Sequence, residues 1–158
     1  MSNQDIIIRL VLITLFASVI GYEREKQNSY AGFRTHLLVA ITSTIIALIQ
    51  QSIVAEVLNL HMAYPMMIEV VKSDPGRLIS TVVSGIGFLG AGTIIVTKRN
   101  ITGLTTAASI WSVAGLGLAV GMGYLDVATI GFLFLTAVLF FAKRLYTSHF
   151  EERIYIEY

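Results

Sequence analysis

Between Ile79 and Thr97 the chain reads ISTVVSGIGFLGAGTIIVT, a run without one charged residue. Working outward, the pattern repeats: between Asn100 and Ala142 the only charge is Asp126. Over all 158 residues, hydrophobic side chains make up 55% and charged ones 13%, roughly half the ~25% of an ordinary soluble domain. Mean hydropathy is +0.75. A water-soluble fold this small must cover its core with polar surface, and these stretches cannot supply it. The composition excludes a soluble globular enzyme. It predicts a single-domain integral membrane protein.

A helix needs about 20 mostly apolar residues to cross ~30 Å of hydrocarbon. Five segments qualify, predicting an all-α bundle of five transmembrane helices. The first runs from about Ile6 to Tyr22, with Arg9 expected to snorkel to the near interface. The second runs from Thr35 to about Val57, the third from Leu78 to Thr97, the fourth from Leu104 to Tyr124 and the fifth from Val127 to Phe141. Residues 1–146 would form the transmembrane domain and residues 147–158 a short cytoplasmic tail. The first span lacks a basic leader and a small-x-small cleavage site, so it reads as a retained helix. Between spans two and three, Met66 to Val71 is too short to cross. It reads as a half-buried interfacial helix, or as a lid over an outer vestibule.

Basic residues set the orientation. With the N-terminus outside and the C-terminus inside, Arg24, Lys26, Arg34, Lys98, Arg99, Lys143, Arg144 and Arg153 face the cytoplasm, while Arg9, Lys72 and Arg77 face out. The chain has no cysteine, which removes disulfides and thiol catalysis.

Small residues recur at helical spacing: Thr14, Ala17, Ser18 and Gly21 in the first span, Ser80, Ser84, Gly87 and Ala91 in the third. The fourth carries Thr105, Ala108, Ser112, Gly115 and Ala119, and also the pair Gly117 and Gly121. Such faces let helix axes approach closely where lipid gives no hydrophobic push. They exceed what one five-helix bundle needs and predict a homodimer in the lipid bilayer. Gly85, Gly87, Gly90 and Gly92 fall within eight residues, a density that weakens a helix by up to ~1 kcal/mol each relative to alanine. They read as a close-packing surface or, alternatively, as a broken helix facing a cavity.

The candidate polar cluster comprises Glu23, Arg24, Arg34, Thr35, Asp74, Arg77, Thr105 and Thr106. At the cytoplasmic end Glu23 is expected to pair with Arg34 or Arg24, with the hydroxyls of Thr105 and Thr106 nearby. Asp74 reads as an N-cap with Pro75 at the first helical position. Arg77 is expected either to snorkel or to pair with a carboxylate inside the bundle. Trp111 is expected in the core, with an anchor at the membrane interface as the alternative. No catalytic residues, cofactor site or metal-ligand set is predicted: His36, His61 and His149 lie far apart, without HxxH or HExxH spacing. No basic stripe with interleaved aromatics points to nucleic acid.

Five motifs in order carry a resemblance: Ile20-Gly21-Tyr22-Glu23-Arg24, Ala31-Gly32-Phe33-Arg34-Thr35-His36, Asp74-Pro75-Gly76-Arg77, the segment from Val83 to Gly92, and Gly103 to Trp111. Together they closely resemble the MgtC/SapB family of bacterial inner-membrane proteins. The resemblance implies five spans with a cytoplasmic C-terminus and a link to growth at low magnesium. In pathogens it further implies survival inside macrophages. For some relatives it implies inhibition of the F-type ATP synthase. Many relatives carry an ACT-like C-terminal domain; with about a dozen residues after Tyr146, a short form without it is expected here. The leading expectation is a non-enzymatic protein acting through helix contacts within ion homeostasis; the rival is a Mg2+ or proton transporter or channel.

Overall fold

A computed structural model of the chain describes the backbone of residues 1–64, 66, 74, 76–98 and 100–154, and side chains as far as residue 141. The order is α1 (Asn3–Lys26), α2 (Phe33–Ala63), α3 (Arg77–Ala91), β1 (Ile95–Val96), β2 (Ile101–Thr102), α4 (Leu104–Gly121) and α5 (Leu125–Ile154). Three of the helices, α1, α2 and α4, are long and apolar enough to cross a membrane; α3 and the Leu125–Phe141 part of α5 are shorter apolar helices. The expected interfacial segment between α2 and α3 lies almost wholly outside the described residues.

Local chemistry starts and stops these helices. Ser2 caps α1, its hydroxyl accepting from the Asp5 amide at 3.2 Å. The cap of α2, Gly32, has no side chain to offer, so Glu25 supplies it from α1: the Phe33 amide donates to Glu25 Oε2 at 2.7 Å. Asp74 does not cap α3. Its carboxylate accepts from the Gly76 amide at 2.9 Å, a turn two residues long, and the helix begins only at Arg77 with Gly76 at the cap. Between α4 and α5 the turn is as tight as expected. Gly123 takes φ +87°, and the Tyr124 amide reaches back to the Ala119 carbonyl.

The third span departs most from expectation. Its apolar run continues to Thr97, yet α3 stops at Ala91, giving 15 residues and about 22 Å of helix. Gly90 and Gly92 weaken the last turn, and the Thr93 hydroxyl takes the Gly90 carbonyl at 2.8 Å. The β-branched residues that follow form a hairpin, Ile95 opposite Thr102 and Val96 opposite Ile101. Gly103 closes it with φ +87°, where any Cβ would overlap the Thr93 carbonyl.

Helices α1, α2 and α4 form the centre, with α3 against α4 and α5 against the α1–α4 pair. The core comprises Ile13, Ala17 and Ile20 from α1, Ala40 from α2, Val113, Leu116 and Val120 from α4, and Ala128 from α5. Phe16 and Phe132 stack at 4.2 Å between ring centres, tying α5 to α1. The closest seam joins α2 and α4. A Cβ on Gly117 would sit 2.5 Å from the Ala40 carbonyl oxygen, and one on Gly121 would sit 2.6 Å from both Ala47 Cβ and the Thr44 carbonyl oxygen. Outward, α1 shows Ile7, Ile8, Val11 and Leu15, and α5 shows Leu133, Phe134 and Val138. Water would penalise that surface; hydrocarbon matches it.

Candidate polar ends of the bundle

The predicted polar residues divide between the two ends of the bundle. At one end, Gly21 of α1 packs on the first turn of α2, 3.0 Å from Phe33 Cα by the reach of an added Cβ. Close approach here buries one side of the last turn of α1. Glu23 is 4% exposed and Arg24 8%. They pair with each other, Arg24 Nε donating to Glu23 Oε2 at 2.7 Å and Arg24 Nη2 to Oε1 at 3.3 Å. The fork-like geometry satisfies both carboxylate oxygens, which a buried charge requires.

Beside this pair lies a chain of hydroxyls around a buried histidine. His36 Nδ1 is 2.8 Å from the Gly32 carbonyl, which can only accept, so that nitrogen carries the proton. His36 Nε2, then an acceptor, lies 3.0 Å from Ser109 Oγ, whose single proton has both Nε2 and the Thr106 carbonyl, at 2.9 Å, within reach. Thr106, itself buried, shares a 2.7 Å hydrogen bond with Ser29. This network links the α1–α2 connection, α2 and α4.

Arg34, Thr35 and Thr105 are not part of it. All three are exposed, and Glu23 takes Arg24, not Arg34, as its partner. Arg34 sits on the first turn of α2, whose outer side turns it to solvent. Thr105 is one residue, or ~100° of helix, away from the buried Thr106.

Asp74 and Arg77 belong to the opposite end. Gln50 of α2 holds them there, Nε2 donating to the Asp74 carbonyl at 3.2 Å and Oε1 accepting from the Leu78 amide at 3.0 Å. Arg77 is exposed and no described carboxylate pairs with it. Arg9, expected to snorkel, instead turns inward. Its side chain is 11% exposed and bridges three elements: Asp5 at 2.9 Å, Gln51 Oε1 at 2.8 Å and the Gly121 carbonyl, also at 2.8 Å. The last contact places a cation on the C-terminal carbonyls of α4, where the helix dipole is negative. A polar pocket of about 720 Å³ opens beside it, lined by Asp5, Arg9, Gln51, Ser52, Glu56 and Asn59 among others. Among the described residues, no three His, Asp or Glu side chains gather where they could hold a metal ion.

The glycine cluster divides too. Gly90 is buried, within 3.5 Å of Ala107 by the reach of an added Cβ, and so serves α3–α4 packing. Gly85 and Gly87 would meet nothing within 4 Å, and Gly92 is exposed in the turn after α3. Trp111 lies on the outer side of α4, 52% exposed, and is not a core residue.

Sequence reading missed His36, Ser109, Arg9 and the Gln50–Gln51 pair as structural centres. The signal was there for the glutamines: two adjacent amides inside an apolar helix need partners.

An all-helical chain with a lipid-matching outer surface and two polar ends is a membrane protein. The MgtC family model matches residues 10–148, and the chain belongs to that family. It is 38% identical over 137 residues to a protein of Escherichia coli strain K12 named "Putative magnesium transporter YhiD", covering 87% of this chain and 60% of that one. Protein SapB of Bacillus subtilis is 38% identical over 135 residues, covering 84% of this chain and 54% of its own length. Protein MgtC of Salmonella typhimurium strain 14028s is 35% identical over 117 residues, covering 74% and 43%. The chain thus spans about half the length of these curated relatives. No solved structure matches it.

Proposed function

We propose that this chain is a non-enzymatic, multi-pass protein of the bacterial inner membrane that acts in magnesium or ion homeostasis through contacts between membrane helices. All five helices cross in this reading, with the N-terminus outside and the basic Glu23 end at the cytoplasm. The observation that carries it is the outer face of α3. Ser80, Ser84, Gly87 and Ala91 stand in line and exposed, whereas on the matching face of α1 Ala17 and Gly21 are buried and Thr14 and Ser18 half-buried. On α4, Ala108 and Gly115 continue the same character, with nothing within 4 Å of a Cβ at Gly115. Small residues and hydroxyls facing lipid are poor lipid contacts and good helix contacts.

A two-fold homodimer is the simplest occupant of that face. It is also the surface open to another membrane protein, for which the family resemblance suggests the F-type ATP synthase. Single cysteines at Ser84 or Gly87 test the dimer, because the native chain has none. Oxidation in native membranes is expected to give a crosslinked dimer from these positions and not from Leu15 or Phe134. Monomer alone at every position would sink the reading.

The rival is transport. The relative's name favours it, and the polar pocket beside Arg9 supplies a mouth. Magnesium keeps its waters and is typically held by carboxylates, and the α2–α4 seam is filled by backbone contact. Purified protein in liposomes is therefore expected to pass no Mg2+; measurable flux would promote the transporter.

A further inference from the structure

A groove of about 350 Å³ runs between α2 and α3. Its walls are Leu38, Val39 and Ile46 on one side and Val82, Ile86 and Leu89 on the other. Gly85 keeps it open, since nothing lies within 4 Å of where its Cβ would be. From Leu38 to Ile46 is eight residues, or about 12 Å along the helix. That is close to the depth of one leaflet's hydrocarbon, half of ~30 Å.

What stands at the mouth of this groove decides its occupant. Arg34 and Thr35 lie one helical turn before Leu38 and Val39, so steps of four residues carry both rows from polar side chains into the apolar wall. Arg34 and Thr35 also line a separate polar cup of about 380 Å³ at the start of α2. Arg34 is exposed and makes no ion pair or hydrogen bond among the described residues. Glu25 also lines the cup, but its carboxylate is engaged by the Phe33 amide. A free guanidinium above an apolar slot one leaflet deep matches an anion joined to a hydrocarbon chain.

We propose that this face of α2 and α3 is a binding site for an anionic phospholipid, with the phosphate held by Arg34 and an acyl chain in the groove over Gly85. Basic pockets between membrane helices at the cytoplasmic side recognise such headgroups. The short α3, with 15 residues, forms the second wall of the groove.

Purified protein in neutral detergent, given phosphatidylglycerol or phosphatidylcholine, tests this by native mass spectrometry and by melting temperature. Wild type is expected to retain phosphatidylglycerol at least fivefold over phosphatidylcholine and to melt higher with it. Arg34→Gln should lose the preference and Arg34→Lys should keep most of it. Gly85→Leu, which has room to fold, should fill the groove and lower retention of phosphatidylglycerol while leaving the lipid-free melt unchanged. Equal retention of both lipids by wild type would overturn the proposal. So would glycerol 3-phosphate stabilising wild type as well as the whole lipid does, which would mean a headgroup site without a chain site. A Gly85→Leu variant that loses a dimer but keeps its lipid would assign the groove to a second copy, and would overturn it as well.

Discussion

The α2–α4 seam and the outer face of α3 are built from the same kinds of residue and do opposite things. In the seam, Gly117 and Gly121 meet Ala40, Thr44 and Ala47 so closely that backbone carbonyls fill the place of a side chain. On α3, Gly85 and Gly87 face open space, and Ser80 and Ser84 beside them are exposed. Glycine spacing alone therefore says that two helices approach closely, without saying which two. One set is used inside the chain; the other is left for something outside it.

The largest effect should come from the seam. Gly117→Leu drives a side chain into the Ala40 carbonyl, which belongs to a helix backbone and cannot yield as a rotamer can. We expect no folded protein in detergent by size-exclusion chromatography. Gly117→Ala should still cost about 1–3 kcal/mol, read as a lowered melting temperature. A normal melt for Gly117→Ala would mean the seam is looser than its geometry requires.

The second break comes at the end of the seam. Glu23→Gln leaves Arg24 buried without its charge partner, expected to cost about 3–5 kcal/mol. Glu25→Gln is expected to cost about 1 kcal/mol, since an exposed amide oxygen still accepts from Phe33. The second glutamate has a specific job, the cap of α2. Equal melting temperatures for the two variants would end the distinction between a buried pair and a cap. At the other end, Arg9→Gln removes the cation from the last carbonyls of α4 and from Asp5. Hydrogen bonds to charged groups contribute about 1.5–3 kcal/mol, and a loss in that range is expected by denaturant titration.

How much of this was legible in the sequence follows from what hydropathy encodes. Apolar runs placed α1, α2, α4 and α5, because burial in lipid depends on composition. They also placed α3 but overran its end, because Ile94, Ile95 and Val96 are as apolar as a helix needs but favour strand once Gly92 and Thr93 end the helix. The Glu23–Arg24 pair was among the partners expected, since both close the first span. The division of the polar residues between two ends was visible in the basic-residue count, which set Arg77 opposite Arg24 and Arg34; the bonds of Gln50 to the Asp74 carbonyl and the Leu78 amide were not. His36 was dismissed for lack of metal-ligand spacing, and its role depends on Ser109, which only the α2–α4 packing brings within 3.0 Å. Arg9 was read from its position in a span, whereas its direction is set by Gln51 and the Gly121 carbonyl, both distant in the chain.

The smallest change in stability should come at Gly87, and there it is most informative. Nothing stands within 4 Å of a Cβ at this position, so Gly87→Ala meets no clash inside the chain. Alanine also removes the backbone freedom that glycine loses on folding, a gain of up to ~1 kcal/mol in a helix interior. In detergent that keeps the protein monomeric, the melting temperature should hold or rise slightly. Gly87→Leu should behave the same way in that detergent, yet it puts a large side chain in the middle of the Ser80–Ser84–Ala91 line. If this face receives a second copy, Gly87→Leu should abolish crosslinking through a cysteine at Ser84 while the monomer still melts normally. If crosslinking persists, Gly87 lies outside the contact between copies. The contrast with Gly117 would then separate packed from unpacked glycine without giving Gly87 a partner.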